Sequence, residues 1–132
     1  MHMPHSVVLV APDRQVRNRL RDMLEEFGIE VWVVWRSDTA LTLLEARSLG
    51  GPKRQFSLIV VERDMPHSHA AIFIDEVRAM PALSSIPILV VASKISPFDQ
   101  VMVHRFRNCR IALKSGSSDS FRSHINQLSF QV

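Results

Sequence analysis

One cysteine, four glycines, no tyrosine and no long apolar run mark this 132-residue chain. A lone thiol, Cys109, excludes an internal disulfide and fits a reducing cytoplasm. So few glycines leave no Gly-rich phosphate loop and no dinucleotide fingerprint, so a flavin or nucleotide site has no support. The longest apolar bursts, Val7 to Ala11 and Ile88 to Ala92, are far too short to span a bilayer, and Met1 to His5 lacks the regions of a signal peptide. No nucleophile elbow, internal repeat, low-complexity tract or linker is present.

What remains is an ordinary globular composition, 46% hydrophobic and 22% charged, long enough for one core without a staple. Thirteen arginines and three lysines against thirteen acids give a net charge of +3. That excess suggests nucleic acid, but the arginines are mixed with Asp and Glu along amphipathic segments and form no stripe interleaved with aromatics. Direct nucleic-acid binding is therefore not expected.

Five bursts recur in order: Val7–Val10, Val31–Val34, Leu58–Val61, Ile88–Val91 and Ile111–Leu113. Short, β-branched and nearly continuous, they read as strands buried on both faces of a parallel sheet. Between them lies helical periodicity. Val16, Leu20, Met23, Leu24 and Phe27 form a stripe backed by Arg17, Arg21, Asp22 and Glu25, with Gly28 as the stop. Ala40, Leu41, Leu44 and Leu49 mark a second helix, and Ala70, Phe73, Ile74 and Val77 a third that ends before Pro81. Ser96-Pro97 predicts an N-cap and first turn for a helix through Phe98, Val101, Met102 and Phe106 to Asn108. A last helix is expected from about Asp119 through Phe121, Ile125 and Leu128. Gly50 to Gln55 reads as a basic loop. The pattern is (βα)5, a doubly wound α/β sheet in a single domain over residues 1–132, with about 6–129 structured.

In such a sheet, ligand chemistry lies beyond the C-terminal strand ends. Arg17 to Gly28, Met65-Pro66 after the third burst, Ile86 to Val91 at the fourth and Lys114 after the fifth together resemble the receiver domain of bacterial two-component response regulators, over nearly the whole chain. The resemblance implies a flavodoxin-like fold with strand order 2-1-3-4-5.

Receivers bind Mg²⁺ through paired acids after the first strand together with an aspartate after the third. Those paired positions fall here on Ala11 and Pro12, which cannot ligate a hard cation, so no metal or other cofactor is expected. Asp13 follows: a one-residue slip makes it a lone metal acid, but its position before Arg14 favours helix capping. The phosphoacceptor position falls on Glu62, with Asp64 as the alternative. Lys114 matches the receiver lysine: its ammonium is placed to pair permanently with Glu62 and lock one conformation, the plain alternative being a partly solvated strand-end lysine worth about 0–1 kcal/mol as an ion pair. Ala92 replaces the switch hydroxyl, with Ser93 beside it facing elsewhere, and Ile111 stands at the aromatic toggle. Lys114-Ser115 replaces Lys-Pro, so a trans peptide is expected there.

Two further constellations have bland readings. Glu62, Asp64, His67 and His69 are near in sequence, but the histidines sit in a loop without metal-site spacing. Cys109, flanked by Arg107 and Arg110, reads as a buried small hydrophobe. Phe98, Met102, His104, Arg105, Arg107 and Ile111 compose a candidate interaction face, where partners or a second copy meet the fourth-helix to fifth-helix side; the plain alternative puts Met102 and Phe106 in the core.

The expected function is a non-enzymatic, cytoplasmic pseudo-receiver that meets a protein partner or a component of a histidine kinase pathway. The alternatives are a response regulator phosphorylated at Glu62 or Asp64, and the N-terminal regulatory part of a transcriptional regulator.

Overall fold

The computed structural model describes residues 3–66, 68–128 and 130. Five parallel strands, β1 (Ser6–Val10), β2 (Glu30–Val34), β3 (Leu58–Glu62), β4 (Ile88–Ala92) and β5 (Cys109–Leu113), form one sheet in the order β2-β1-β3-β4-β5. Helices α1 (Arg14–Glu26), α2 (Ser37–Ser48), α3 (Ala70–Ala79) and α4 (Pro97–Arg105) make the four crossovers, α5 (Ser118–Asn126) follows β5, and short 3-10 turns span Pro52–Arg54 and Pro81–Leu83. No helix among the described residues is long and apolar enough to cross a membrane.

The core lies in two layers, one on each face of the sheet. Val7, Leu9, Leu58, Val60, Leu89 and Val91 meet α1 and α5 through Leu20, Leu24, Phe121 and Ile125. Val8, Val10, Ile59, Val61, Ile88 and Val90 meet Ala40, Leu44, Phe73, Ile74 and Val103 of α2, α3 and α4. Strand alternation feeds both layers, which is why the central bursts contain no polar break.

Burial on both faces holds for β3 and β4, which are buried throughout, but not for β2 or β5. Those two are edge strands, and Trp32 on β2 and Leu113 on β5 are exposed. Leu49 is corrected similarly: it is the C-cap of α2 and 89% exposed, because the apolar stripe ends one turn earlier at Leu44. In α4 the inward residue is Val103, while Phe98 and Val101 face solvent; the helix ends at Arg105, and Asn108 takes a left-handed turn (φ +54°) into β5. Gly28 ends α1 at φ +83°, a conformation glycine adopts without a Cβ penalty. No peptide bond among the described residues is cis.

Candidate functional site at the C-terminal strand ends

Parallel strands bring the ends of β1, β3, β4 and β5 to one edge of the sheet, and the site is built there. Glu62 closes β3 and is only 2% exposed. Both of its carboxylate oxygens are engaged: Oε2 lies 2.7 Å from Lys114 Nζ, and Oε1 accepts the Asp13 N–H at 3.0 Å. Lys114 is held where it must be, since its own N–H donates to the Ala92 carbonyl at 2.8 Å and its side chain is 22% exposed. A lysine one residue past β5 thus reaches over β4 to the end of β3.

The first loop brings no carboxylate to this edge. Ala11 is buried, Pro12 carries no ligand atom, and Asp13 turns its side chain to the N-terminus of α1, where Oδ1 accepts the Val16 N–H at 3.0 Å. The Ala11 and Pro12 carbonyls accept from Arg17 Nη1 at 3.0 and 3.3 Å, and the Arg17 guanidinium stacks 5.1 Å from the Trp35 ring centre. Hard divalent cations need several converging oxygens. The Glu62 carboxylate, Asp13 Oδ1 and the Ala11 and Pro12 carbonyls already face a lysine, an arginine or backbone N–H groups.

Two more arginines fasten the neighbouring loops. Arg19 donates to the carbonyls of Lys114 and Gly116 after β5. Arg63 Nη1 donates to the Lys94 carbonyl and to Asp99 Oδ2, each at 2.7 Å, while its Nη2 reaches Asp64 at 2.7 Å. Asp99 is buried and completes the capping box of α4: its Oδ2 accepts the Ser96 N–H at 2.7 Å and the Ser96 hydroxyl at 3.0 Å. The loop after β3 is thereby tied to the loop after β4 and to the start of α4. Burial alone would raise the pKa of Asp99, but the Ser96 and Arg63 hydrogen bonds outweigh it and hold the carboxyl below its ordinary range. The Arg63 hydrogen bond likewise lowers Asp64, against a smaller effect of burial.

A depressed Asp99 pKa has a defined sign. Its stabilisation is fully present above the unfolded aspartate value, near 3.9, and is lost as pH falls through the lower folded value. Asp99→Asn should cost about 1–3 kcal/mol at neutral pH, from the lost charged hydrogen bonds to Arg63 and Ser96, and should flatten the acid limb of the stability curve below about pH 4. Urea unfolding across that range measures both effects.

Of the residues singled out in the sequence, Glu62, Lys114, Asp13, Ala11, Pro12 and Ala92 lie together at this edge. Ser93 is exposed. Asp64 is exposed and bound by Arg63. His69 caps α3, its Nδ1 accepting the Ala71 N–H at 3.0 Å, and His67 lies outside the described residues. Among the described residues no group of three His, Cys, Asp or Glu side chains is placed to hold a metal ion. On the candidate interaction face, Phe98 is 86% exposed, and His104, Arg105 and Arg107 are exposed. Ile111 does not belong there: it is buried in the core layer with Val90, Ala92 and Val103 because it points from β5 toward α4. Met102 and Phe106 are half-buried against the same layer.

Sequence reasoning missed Arg17, Arg19, Arg63 and Asp99. The periodicity puts Arg17 on the solvent side of α1, yet one turn from a helix start a long side chain can curl back to the loop before it. Asp99 had a legible signal, the Ser96-x-x-Asp99 spacing of a capping box. Cys109 packs against the core, and burial pushes its thiol up to about 12, against a smaller lowering by the Arg78 charge. Alkylation by iodoacetamide at pH 8 should be slow in the folded protein and fast in urea.

No protein-family model matches the chain, and no curated protein matches it in sequence. Solved structures do match in fold. Chemotaxis protein CheY4 of Vibrio cholerae superposes with a TM-score of 0.82 at 18% identity, over 96% of this chain and 100% of that one. The receiver domain of a signal transduction histidine kinase from Syntrophus aciditrophicus gives 0.76 at 19% identity, over 93% and 88%. That of a sensor histidine kinase from Pseudomonas aeruginosa, solved with a magnesium ion coordinated in its active-site cleft, gives 0.78 at 16% identity, over 96% and 98%. This chain has the flavodoxin-like fold of receiver domains, with its Glu62–Lys114 pair at the strand edge where such folds carry their ligand sites.

Proposed function

We propose that this chain is a signalling module of the receiver type that works through protein contacts, without phosphorylation and without Mg²⁺. The observation that carries the reading is the closed carboxylate: Glu62 is buried and spends its two oxygens on Lys114 and the Asp13 N–H. An acceptor must present a free oxygen to the incoming phosphorus, and phosphoryl transfer leans on metal charge to neutralise the equatorial oxygens. Ala11, Pro12 and the Arg17-bound carbonyls offer no such metal seat. Asp64 is a poor substitute, since Arg63 grips its carboxylate.

The arginine ties to the loops after β1, β4 and β5 support a single held conformation. A partner would then read a constant surface, such as the exposed Phe98 with His104 and Arg105 on α4. Partners in a histidine kinase pathway fit the neighbours of this fold, two of which are receiver domains of histidine kinases. Incubation with Mg²⁺ and acetyl phosphate, followed by intact-mass spectrometry, tests the reading. An unchanged mass is expected; an alkali-labile phosphoryl adduct mapped to Glu62 or Asp64 would overturn it.

A further inference from the structure

Strand β2 is the last strand on its side of the sheet among the described residues. The Glu30 N–H donates to His5 and the Val34 carbonyl accepts from Ala11, so residues 30, 32 and 34 turn their backbone groups toward β1. By the two-residue period of a strand, the N–H and C=O groups of Val31 and Val33 point outward, where no further strand receives them. The chain's two tryptophans flank this edge, Trp32 40% and Trp35 60% exposed.

Cations outnumber acids along it. The Arg47 guanidinium lies 4.5 Å above the Trp32 ring and 4.7 Å from that of Phe56, and its Nη1 donates to the Arg54 carbonyl at 3.0 Å. That bond ties α2 to the turn that carries the exposed Lys53 and Arg54. Among the described residues no ion pair neutralises these three cations. Of the nearby acids, Asp38 pairs with Arg36 and Glu45 lies two residues from Arg47, on the opposite flank of α2, while Glu30 accepts the Trp32 indole N–H at 2.6 Å and keeps its negative charge, so three cations stand against one carboxylate on the strand.

We infer that the β2 edge is a docking site for an extended, acidic peptide segment of a partner protein, added to the sheet as a sixth strand with its carboxylates toward Arg47, Lys53 and Arg54. Main-chain hydrogen bonds from Val31 and Val33 would give the pairing, and the cations its selectivity. A second copy of the chain fits worse, because antiparallel β2–β2 pairing brings two Arg47 side chains together over the paired Trp32 residues. A nucleic-acid strand also fits worse, since a guanidinium already covers one face of each tryptophan ring.

Without tyrosine, the intrinsic fluorescence comes from Trp32 on this edge and from Trp35, which stacks on Arg17 beside the β1 loop. A short, end-blocked peptide of alternating glutamate and valine, titrated at low salt, should give a saturable tryptophan change. Arg47→Glu with Lys53→Glu, both exposed or half-exposed and outside the core, should weaken binding about tenfold while leaving the circular dichroism unchanged. The same peptide N-methylated at alternate residues should give no saturable change. No saturation with the plain peptide, an equal response to the methylated one, a stronger response to oligothymidylate, or a dimer that Arg47→Glu strengthens would each overturn the inference. None of these readouts depends on phosphorylation, so this inference and the pseudo-receiver reading fail separately.

Discussion

Replacing Lys114 with Met should lower the free energy of unfolding by about 2–4 kcal/mol, the largest loss expected from any single polar substitution here. Lys114 is the counter-charge of a carboxylate only 2% exposed, so its removal leaves Glu62 buried beside a single backbone N–H. The partial exposure of Lys114 puts the figure below that of a fully enclosed pair. Adding Glu62→Gln to Lys114→Met should recover at least half of the loss, because a neutral amide still accepts the Asp13 N–H and no longer needs a cation. Urea unfolding of the four members of the cycle measures the coupling. Equal and additive losses would mean that the pair is solvated and contributes little.

The second large effect concerns activity that should fail to appear. Glu62→Asp restores the aspartate that receivers use, yet it should not create a phosphorylatable protein, since Ala11 and Pro12 still supply no metal ligand and Lys114 and Arg17 still hold the pocket. Only the triple change Ala11→Asp, Pro12→Asp and Glu62→Asp should label with acetyl phosphate in a Mg²⁺-dependent way. A metal's neutralisation of transition-state charge contributes several kcal/mol, so the triple variant should label at least about a hundredfold faster than Glu62→Asp alone. Comparable labelling of the single variant would show that the pocket retains its chemistry without the acids.

The fold was legible because its signal is repeated: five β-branched bursts alternate with helical stripes, and each crossover constrains the next. Strand order came from the resemblance rather than from any periodicity, and the sheet has that order. Edge and centre were not separable in the sequence. Val31–Val34 reads as apolar as Leu58–Val61, and only position in the sheet leaves Trp32 exposed. In α4 apolarity does not separate inside from outside: Phe98, on the candidate interaction face, and Val101 are outward, while Asp99, a charged residue, is buried by its bonds to Ser96 and Arg63. At the pocket, the substituted positions were readable one by one. The arginine ties were not, since a long flexible side chain reaches carbonyls that no spacing rule specifies, as Arg19 does across to Lys114 and Gly116.

The most direct test of the closed-pocket account is a Mg²⁺ titration followed by amide NMR, watching Ala11, Asp13, Glu62, Arg63 and Lys114. Because the Asp13 N–H and Lys114 Nζ already occupy the Glu62 carboxylate, these amides should shift no more than exposed ones far from the site, even at millimolar Mg²⁺. A saturable shift confined to Ala11, Asp13 and Glu62 would show a seated cation and contradict the account.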